Sequence, residues 1–377
     1  MSIKLEIENF KSIQKLKLDL SDLTILMGPP ASGKSNILDA LALMGYINRF
    51  RVLDREYKNN ATNLEPLYSI VRFREPYQLF KNYDLAETIR LKMLGDINLD
   101  YEISYIAGMP KITINSKPLP WDLRTLRSDP MSELQNFVKT LPIFESRLYG
   151  FDRYGLISDG YFLNRIKDYP SYILSEIGWN APYIIRRHIK VINNINDILR
   201  EHIGEKIELK VRKTGEILIF DNDHEMELVG ISETILRVLY TLLALESSQF
   251  YAKYYNFEKK LIVLLEEPEA HVFPYFLNII ADSINQALVS TYVIISTHNP
   301  ILISRLWDYV KSVKTYYVYR NSIGFTSVRE LDIEKMAEDL KTTEDILIES
   351  PSEILEKYTL EAERSAESKT STSQNSS

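Results

Sequence analysis

Near the start of the chain Ile3, Leu5 and Ile7 alternate with polar residues, and Leu16, Leu18 and Leu20 do so again. A period of two puts every second side chain on one face, so the spacing predicts two strands of a half-buried antiparallel pair. Leu23 to Met27 is apolar throughout, which suits a strand covered on both faces. It leads into Gly28-Pro29-Pro30-Ala31-Ser32-Gly33-Lys34-Ser35, and the residues from Asn36 to Ile47 then have helical spacing.

Further along, Ile89 to Met93, Tyr101 to Tyr105 and Ile112 to Ile114 read as short strands between turns. Residues 126–205 read as helical, with apolar positions at Ile184, Ile185, Ile189, Ile192, Ile195, Ile198 and Leu199. Ile207 to Val211 and Ile217 to Phe220, joined across Lys213-Thr214-Gly215, predict a hairpin. A helix begins at Ser232, a candidate cap. Leu261 to Leu265 and Tyr292 to Ile295 are two more buried strands with a helix between them, an alternation that implies a parallel sheet. Asn299-Pro300 supplies a cap and a first-turn proline for the next helix. These elements predict an α/β chain. Its parts are an N-terminal lobe with an antiparallel β subdomain (1–125), a helical insertion (126–205), a C-terminal lobe (206–330), C-terminal helices (331–361) and a disordered tail (362–377), where Ser, Thr, Glu and Lys show no apolar period.

Residues 28–35 fit G-x-x-x-x-G-K-[ST] at every fixed position, between a strand and a helix as that loop requires. The glycines let successive backbone N–H groups face a phosphate at the positive end of the following helix. Lys34 would bridge the β- and γ-phosphates of ATP, and the Ser35 hydroxyl would ligate Mg²⁺. Gly28, Pro29, Pro30, Ala31, Ser32, Gly33, Lys34, Ser35 and Asn36 are therefore the candidate nucleotide-binding residues. The alternative, an ordinary Gly-Pro turn, leaves Lys34 and Ser35 unexplained.

The strand at Leu261 ends in Glu266-Glu267-Pro268-Glu269. Ligands in such sheets sit at strand C-termini, so Glu266 would hold Mg²⁺ through water and Glu267 would polarise the attacking water as general base. Alone, the pair would equally fit a solvated acidic turn. His298, directly after the strand at Tyr292, could reach a γ-phosphate and sense its loss, or could merely cap a helix.

These three motifs in this order resemble the ABC-type P-loop ATPases of the RecF, SMC and OLD group. Ile7-Glu8-Asn9-Phe10-Lys11-Ser12-Ile13 is similar to that group's first strands. Gly33 to Ala40 resembles its phosphate-loop helix, including the Asn after the Ser. Glu266 to His271 resembles the acidic strand end of small OLD-like members, Thr297-His298-Asn299-Pro300 the switch-histidine loop, and Leu79-Phe80-Lys81-Asn82 a further pattern of these small ATPases. The resemblance implies an ABC-type core, ATP hydrolysis, and an ATP-dependent homodimer in which each site is completed by the partner's signature helix. Action on DNA or on a separately encoded nuclease or other effector would follow. The signature-like stretch is Val229 to Thr234, where Ser232 is followed by Glu233 in place of Gly; Ser232 is either the signature serine or only a helix cap. The insertion between the phosphate loop and this stretch has no heptads, which excludes a long coiled-coil arm. The residues after His298 lack the length and the acid cluster of a Toprim nuclease.

Composition narrows the partners. With 45% hydrophobic and 26% charged residues and a net charge of −7, the chain has no general attraction for nucleic acid. DNA would need a local basic patch, for which Arg186, Arg187, Lys190, Lys210, Arg212 and Lys213 are candidates against the plainer reading of a solvated charged face. There is no cysteine, so disulfides and thiolate chemistry are excluded. The N-terminus lacks the apolar core of a signal peptide, and the apolar run Leu236 to Leu245 contains Arg237 and is too short for a bilayer span, making the cytoplasm the default location. A subunit of a transport complex is the alternative assignment, disfavoured by the missing Leu-Ser-Gly-Gly signature. A small-molecule kinase is disfavoured by Glu267, since a kinase must exclude water and not activate it.

Overall fold

The computed structural model describes residues 3–49, 67–119, 131–151, 172–202, 204, 206–212, 217–222, 224–227, 230–257, 259–339 and 342–360. The alternating start is an antiparallel pair: β1 (Ile3–Phe10) and β2 (Ile13–Leu20) align Leu5 with Leu18 and Ile7 with Leu16, all four buried. All five residues of β3 (Leu23–Met27) are buried, and helix α1 (Lys34–Tyr46) follows the loop after it. Strands β4 (Ile89–Gly95), β5 (Leu99–Ile106), β6 (Met109–Ile114) and β7 (Lys117–Pro118) extend the first pair into an antiparallel sheet ordered β2-β1-β4-β5-β6-β7.

The second sheet carries the loop. Its order is β15-β14-β3-β13-β12-β8, from β8 (Glu145–Tyr149), β12 (Leu261–Glu266), β13 (Tyr292–Ser296), β14 (Val313–Arg320) and β15 (Thr326–Glu330). All neighbours are parallel except the β14–β15 edge pair. Because successive side chains of a strand point to opposite faces, the buried strands feed two cores. Leu26, Ile262, Leu264 and Ile294 pack with α1 and the antiparallel sheet. Ile25, Met27, Val263, Leu265, Val293 and Ile295 pack with the helices Glu233–Tyr254, Pro274–Ala287 and Pro300–Tyr309. The parallel sheet is thus the middle layer, and both its faces are dry.

Two expectations are corrected. Residues 126–205 are not helical throughout: helices Met131–Lys139, Ala181–Ile185 and Ile189–His202 are present, but β8 lies between them and is an edge strand of the core sheet. Its sequence, Glu-Ser-Arg-Leu-Tyr, has no apolar run because Arg147 satisfies Glu145 inside the protein, Nε to Oε1 at 2.7 Å, with both side chains buried. The predicted hairpin exists as β9 (Ile207–Val211) and β10 (Ile217–Asp221), but a third strand, β11 (His224–Glu227), joins it. Lys213 and its turn, Val229, and the tail 362–377 lie outside the described residues. Short helices Ile333–Glu338, Thr343–Ile348 and Pro351–Lys357 follow β15. Among the described residues no helix is long and apolar enough to cross a membrane.

Candidate active site at the strand ends

The loop after β3 is shaped by two left-handed glycines and by the edge strands behind them. Gly28 has φ 141° and Gly33 φ 107°. A Cβ on Gly28 would fall 2.1 Å from the Val318 carbonyl oxygen, and one on Gly33 2.0 Å from Thr326 Oγ1. Only glycine fits at either position. Ala31 also has positive φ, 59°. Side chains from the far edge brace the outside of the loop: Arg320 Nε donates to the Ala31 carbonyl at 2.9 Å, and Thr326 Oγ1 to the Ser32 carbonyl at 2.9 Å. Asn36 Nδ2 donates to Ser12 Oγ at 2.6 Å, a tie to the β1–β2 turn. The Asn36 side chain therefore positions the loop from the back, while Ser35 and Lys34 begin α1 at the mouth.

Lys34 reaches back over the loop, its Nζ donating to the carbonyls of Gly28 at 2.8 Å and Pro29 at 3.0 Å. Burial holds its ammonium below the usual lysine range, opposed by the charges of Glu267, Glu269 and Glu266. The parallel pairing β3-β13-β12 is what brings these acids to the loop, since all three strands end on the same side.

Glu266 closes β12 and accepts from Arg72 Nη1 at 2.6 Å. Glu267 has φ 43°, a left-handed conformation that is uncommon for a side chain of this length, and its N–H donates to the Ser296 carbonyl at 2.9 Å. The turn aims its carboxylate at His298, whose Nδ1 lies 3.5 Å from Glu267 Oε1. Both side chains are open to solvent, His298 at 59% and Glu267 at 43%. The candidate base and the candidate sensor are thus brought together, on an uncovered side of the site.

The organiser of this turn is a residue that motif reading passed over. Glu269 is buried, and its Oε1 accepts from Thr297 Oγ1 at 2.6 Å and from the His298 N–H at 3.2 Å. Burial raises its carboxyl above the usual range, against those hydrogen bonds. The third acid of Glu-Glu-Pro-Glu therefore fixes the histidine loop to the acidic strand end. Glu269→Ala would strand a buried hydroxyl and an amide, so we expect a loss of about 1–3 kcal/mol in stability. A thermal melt checks this, and an unchanged midpoint would show the tie to be dispensable.

Ser232 stands at the start of the Glu233–Tyr254 helix, exposed, and its hydroxyl makes no capping bond. Glu233 is met by Arg237 one turn on, Nε to Oε1 at 2.9 Å, so the extra carboxylate in the signature-like stretch carries its own counter-charge. Lys11, Asp39 and Arg72 complete the surroundings; Lys11 and Asp39 lie in the stretches that carry the resemblance, without a role read for them, and Arg72 lies in no motif. Asp39 is fully buried in α1 and accepts from Lys11 Nζ at 2.6 Å and from Arg72 Nη2 at 3.1 Å.

Residues 1–122 match the family model described as an AAA ATPase domain. No curated protein matches the chain in sequence. Among solved structures, an SMC head bound to the C-terminal winged-helix domain of ScpA aligns with 88% of this chain and 98% of its own, at 16% identity and a TM-score of 0.50. An Smc head domain with an extended coiled coil, bound to the C-terminal domain of ScpA derived from Pyrococcus furiosus, aligns with 89% of this chain and 98% of its own, at 15% identity and a TM-score of 0.51. At such identities the likeness is one of fold. Residues 1–122, which hold the phosphate loop, thus match an AAA ATPase domain, and the chain has the fold of the SMC heads.

Proposed function

We propose that this ATPase works as an ATP-closed homodimer of the RecF/OLD-like kind, which acts on DNA or on a separately encoded effector. The observation that carries the reading is the openness of the candidate machinery. A general base activates one water efficiently only where other water is excluded, yet the Glu267 and His298 side chains are 43% and 59% exposed. A second copy that brought its exposed Ser232 over the γ-phosphate would cover that side.

Within one site, Lys34 would exchange its two loop carbonyls for phosphate oxygens, Glu267 would take a proton from the attacking water, and His298 would report on the γ-phosphate. Ser35 and Glu266 fit a magnesium ion: both are hard oxygen donors, and the Arg72 guanidinium spans from the Glu266 carboxylate to the backbone carbonyl of Ser35. Among the described residues no three acids or histidines cluster as a dedicated metal site, which suits an ion held largely by phosphate and water. When bound, it would withdraw charge from the β- and γ-phosphates.

For the nucleic-acid arm, the basic candidates divide. Lys210 and Arg212 sit in ion pairs with Glu208 and Glu225 on the three-stranded sheet. Arg186, Arg187 and Lys190 are exposed beside a group of rings in which Tyr172 stacks on Tyr254 at 4.6 Å and on Phe250 at 5.6 Å, with Arg187 over Tyr172 at 4.4 Å. Exposed rings with neighbouring cations suit a nucleic-acid backbone and its bases.

The test is ATPase activity per mole of chain across a hundred-fold dilution series, with and without DNA. A homodimeric site predicts specific activity that falls on dilution, whereas a constant value would sink it. Stimulation by DNA that is lost in Arg187→Glu would assign the nucleic-acid arm to this face, and its absence would favour a protein effector.

A further inference from the structure

Arg72 belongs to neither the phosphate loop nor the acidic strand end, yet it touches both. Its Nη1 donates to Glu266 Oε1 at 2.6 Å, and its Nη2 donates to the Ser35 carbonyl at 3.0 Å and to Asp39 Oδ1 at 3.1 Å. Nε adds a longer contact to Asp39 Oδ2 at 3.4 Å. Asp39 is fully buried and also holds Lys11, which in turn donates to the Arg72 carbonyl at 2.8 Å. The preceding residue, Val71, is fully buried and fixes the base of the side chain.

The two ends of this arrangement differ. Toward Asp39 the guanidinium faces a buried carboxylate with two of its nitrogens, the planar geometry at which arginine excels. Toward Glu266 it makes one bond, to a carboxylate that is 24% exposed where that of Asp39 is fully buried. The first contact is a tether and the second is exchangeable. Charges also balance without any ion: Lys11 and Arg72 against Asp39 and Glu266. A dication arriving at Ser35 and Glu266 would face a guanidinium already bonded to one of its ligands, and the two positive charges would repel each other at that carboxylate.

We propose that Arg72 is a stand-in for the metal, occupying Glu266 in the nucleotide-free enzyme and yielding it when magnesium-bound ATP loads, while Asp39 keeps it tethered. The proposal rests on the assignment of Ser35 and Glu266 to the ion. It makes Arg72 a positioning residue: it keeps the acidic strand end and the start of α1 in register before substrate arrives, and it sets a threshold for metal entry. Because Lys11 shares Asp39, the exchange is also felt at the β1–β2 turn.

The experiment measures metal binding and not turnover. Free Mn²⁺ would be followed by electron paramagnetic resonance while the full chain is titrated in the presence of a non-hydrolysable ATP analogue. Arg72→Gln should bind Mn²⁺ roughly ten-fold more tightly than wild type, the worth of one charge-assisted hydrogen bond at a partly exposed site. Its melting temperature should drop without nucleotide and recover with Mn²⁺ and analogue. Arg72→Lys, which keeps a cation for Asp39 but cannot bridge with a planar fork, should fall between the two and serves if the glutamine variant folds poorly. Unchanged or weaker Mn²⁺ affinity in a folded Arg72 variant overturns the proposal. Glu266→Gln separates the two layers: if it leaves Mn²⁺ affinity at the wild-type level, the assignment of Glu266 to the metal is what has failed, and the stand-in fails with it.

Discussion

Lys34→Ala should abolish measurable ATP binding while leaving the nucleotide-free fold nearly intact. In the free enzyme the ammonium is spent on the carbonyls of Gly28 and Pro29, which marks the space the phosphates would take. Around it stand Glu266, Glu267 and Glu269, whose charges act on it. Without Lys34 a highly charged anion would meet three acids and lose its contacts to the one loop cation. Two charge-assisted hydrogen bonds at about 1.5–3 kcal/mol each correspond to a loss of at least about a hundred-fold in affinity. The loop itself should persist, because Arg320 and Thr326 still hold the Ala31 and Ser32 carbonyls from behind. Titration with a fluorescent ATP analogue at fixed Mg²⁺ checks the first half, and a thermal melt the second. Unchanged affinity would remove residues 28–35 from the nucleotide site.

What could be read from the chain was whatever is local. The alternation of Ile3, Leu5 and Ile7, the solid apolar runs of β3, β12 and β13, and the loop between β3 and α1 each carry their cause within a few residues, and all appear where expected. β8 was hidden for the opposite reason. A buried strand containing Glu145 and Arg147 looks polar until Tyr251, more than a hundred residues away, is seen donating its hydroxyl to Glu145 Oε2 at 2.9 Å. The same holds in the site. Glu266, Glu267 and His298 announce themselves by standing directly after core strands. Arg72 does not, because an arginine in a connecting segment has no local signature, and Asp39, though inside the Gly33–Ala40 stretch, gives no sign of its partner until Arg72 is folded against α1. Glu269 was in plain view, but its partner Thr297 belongs to the next strand's loop, and only the parallel register of β12 with β13 joins them. Asn36 shows the limit of a motif: the residue is where the resemblance placed it, and its amide is turned to Ser12.

Glu267→Gln is expected to cost about 10² to 10⁴ in hydrolysis rate, the usual toll of losing a general base, while ATP still binds. The substitution keeps the size of the side chain, and the Glu267 N–H to the Ser296 carbonyl that sets the turn is a backbone bond and survives. The left-handed φ of 43° is imposed by the same turn, so the amide should take the place of the carboxylate. With chemistry stalled and ATP retained, a closed dimer that wild type populates only briefly should accumulate. Size exclusion with light scattering, run on Glu267→Gln with and without ATP and Mg²⁺, reads this directly. A shift from monomer to dimer only with ATP supports two sites shared between two copies. Hydrolysis at the wild-type rate would take the base away from Glu267. Stalled hydrolysis with bound ATP and no dimer would leave Glu267 in place and remove the shared site. Charge repulsion at Glu233 would then be a poor explanation, because Arg237 already sits 2.9 Å from that carboxylate. Glu233→Gly in the Glu267→Gln background decides the point: association that appears only on removing Glu233 would mean that Arg237 does not offset its charge once a γ-phosphate is near.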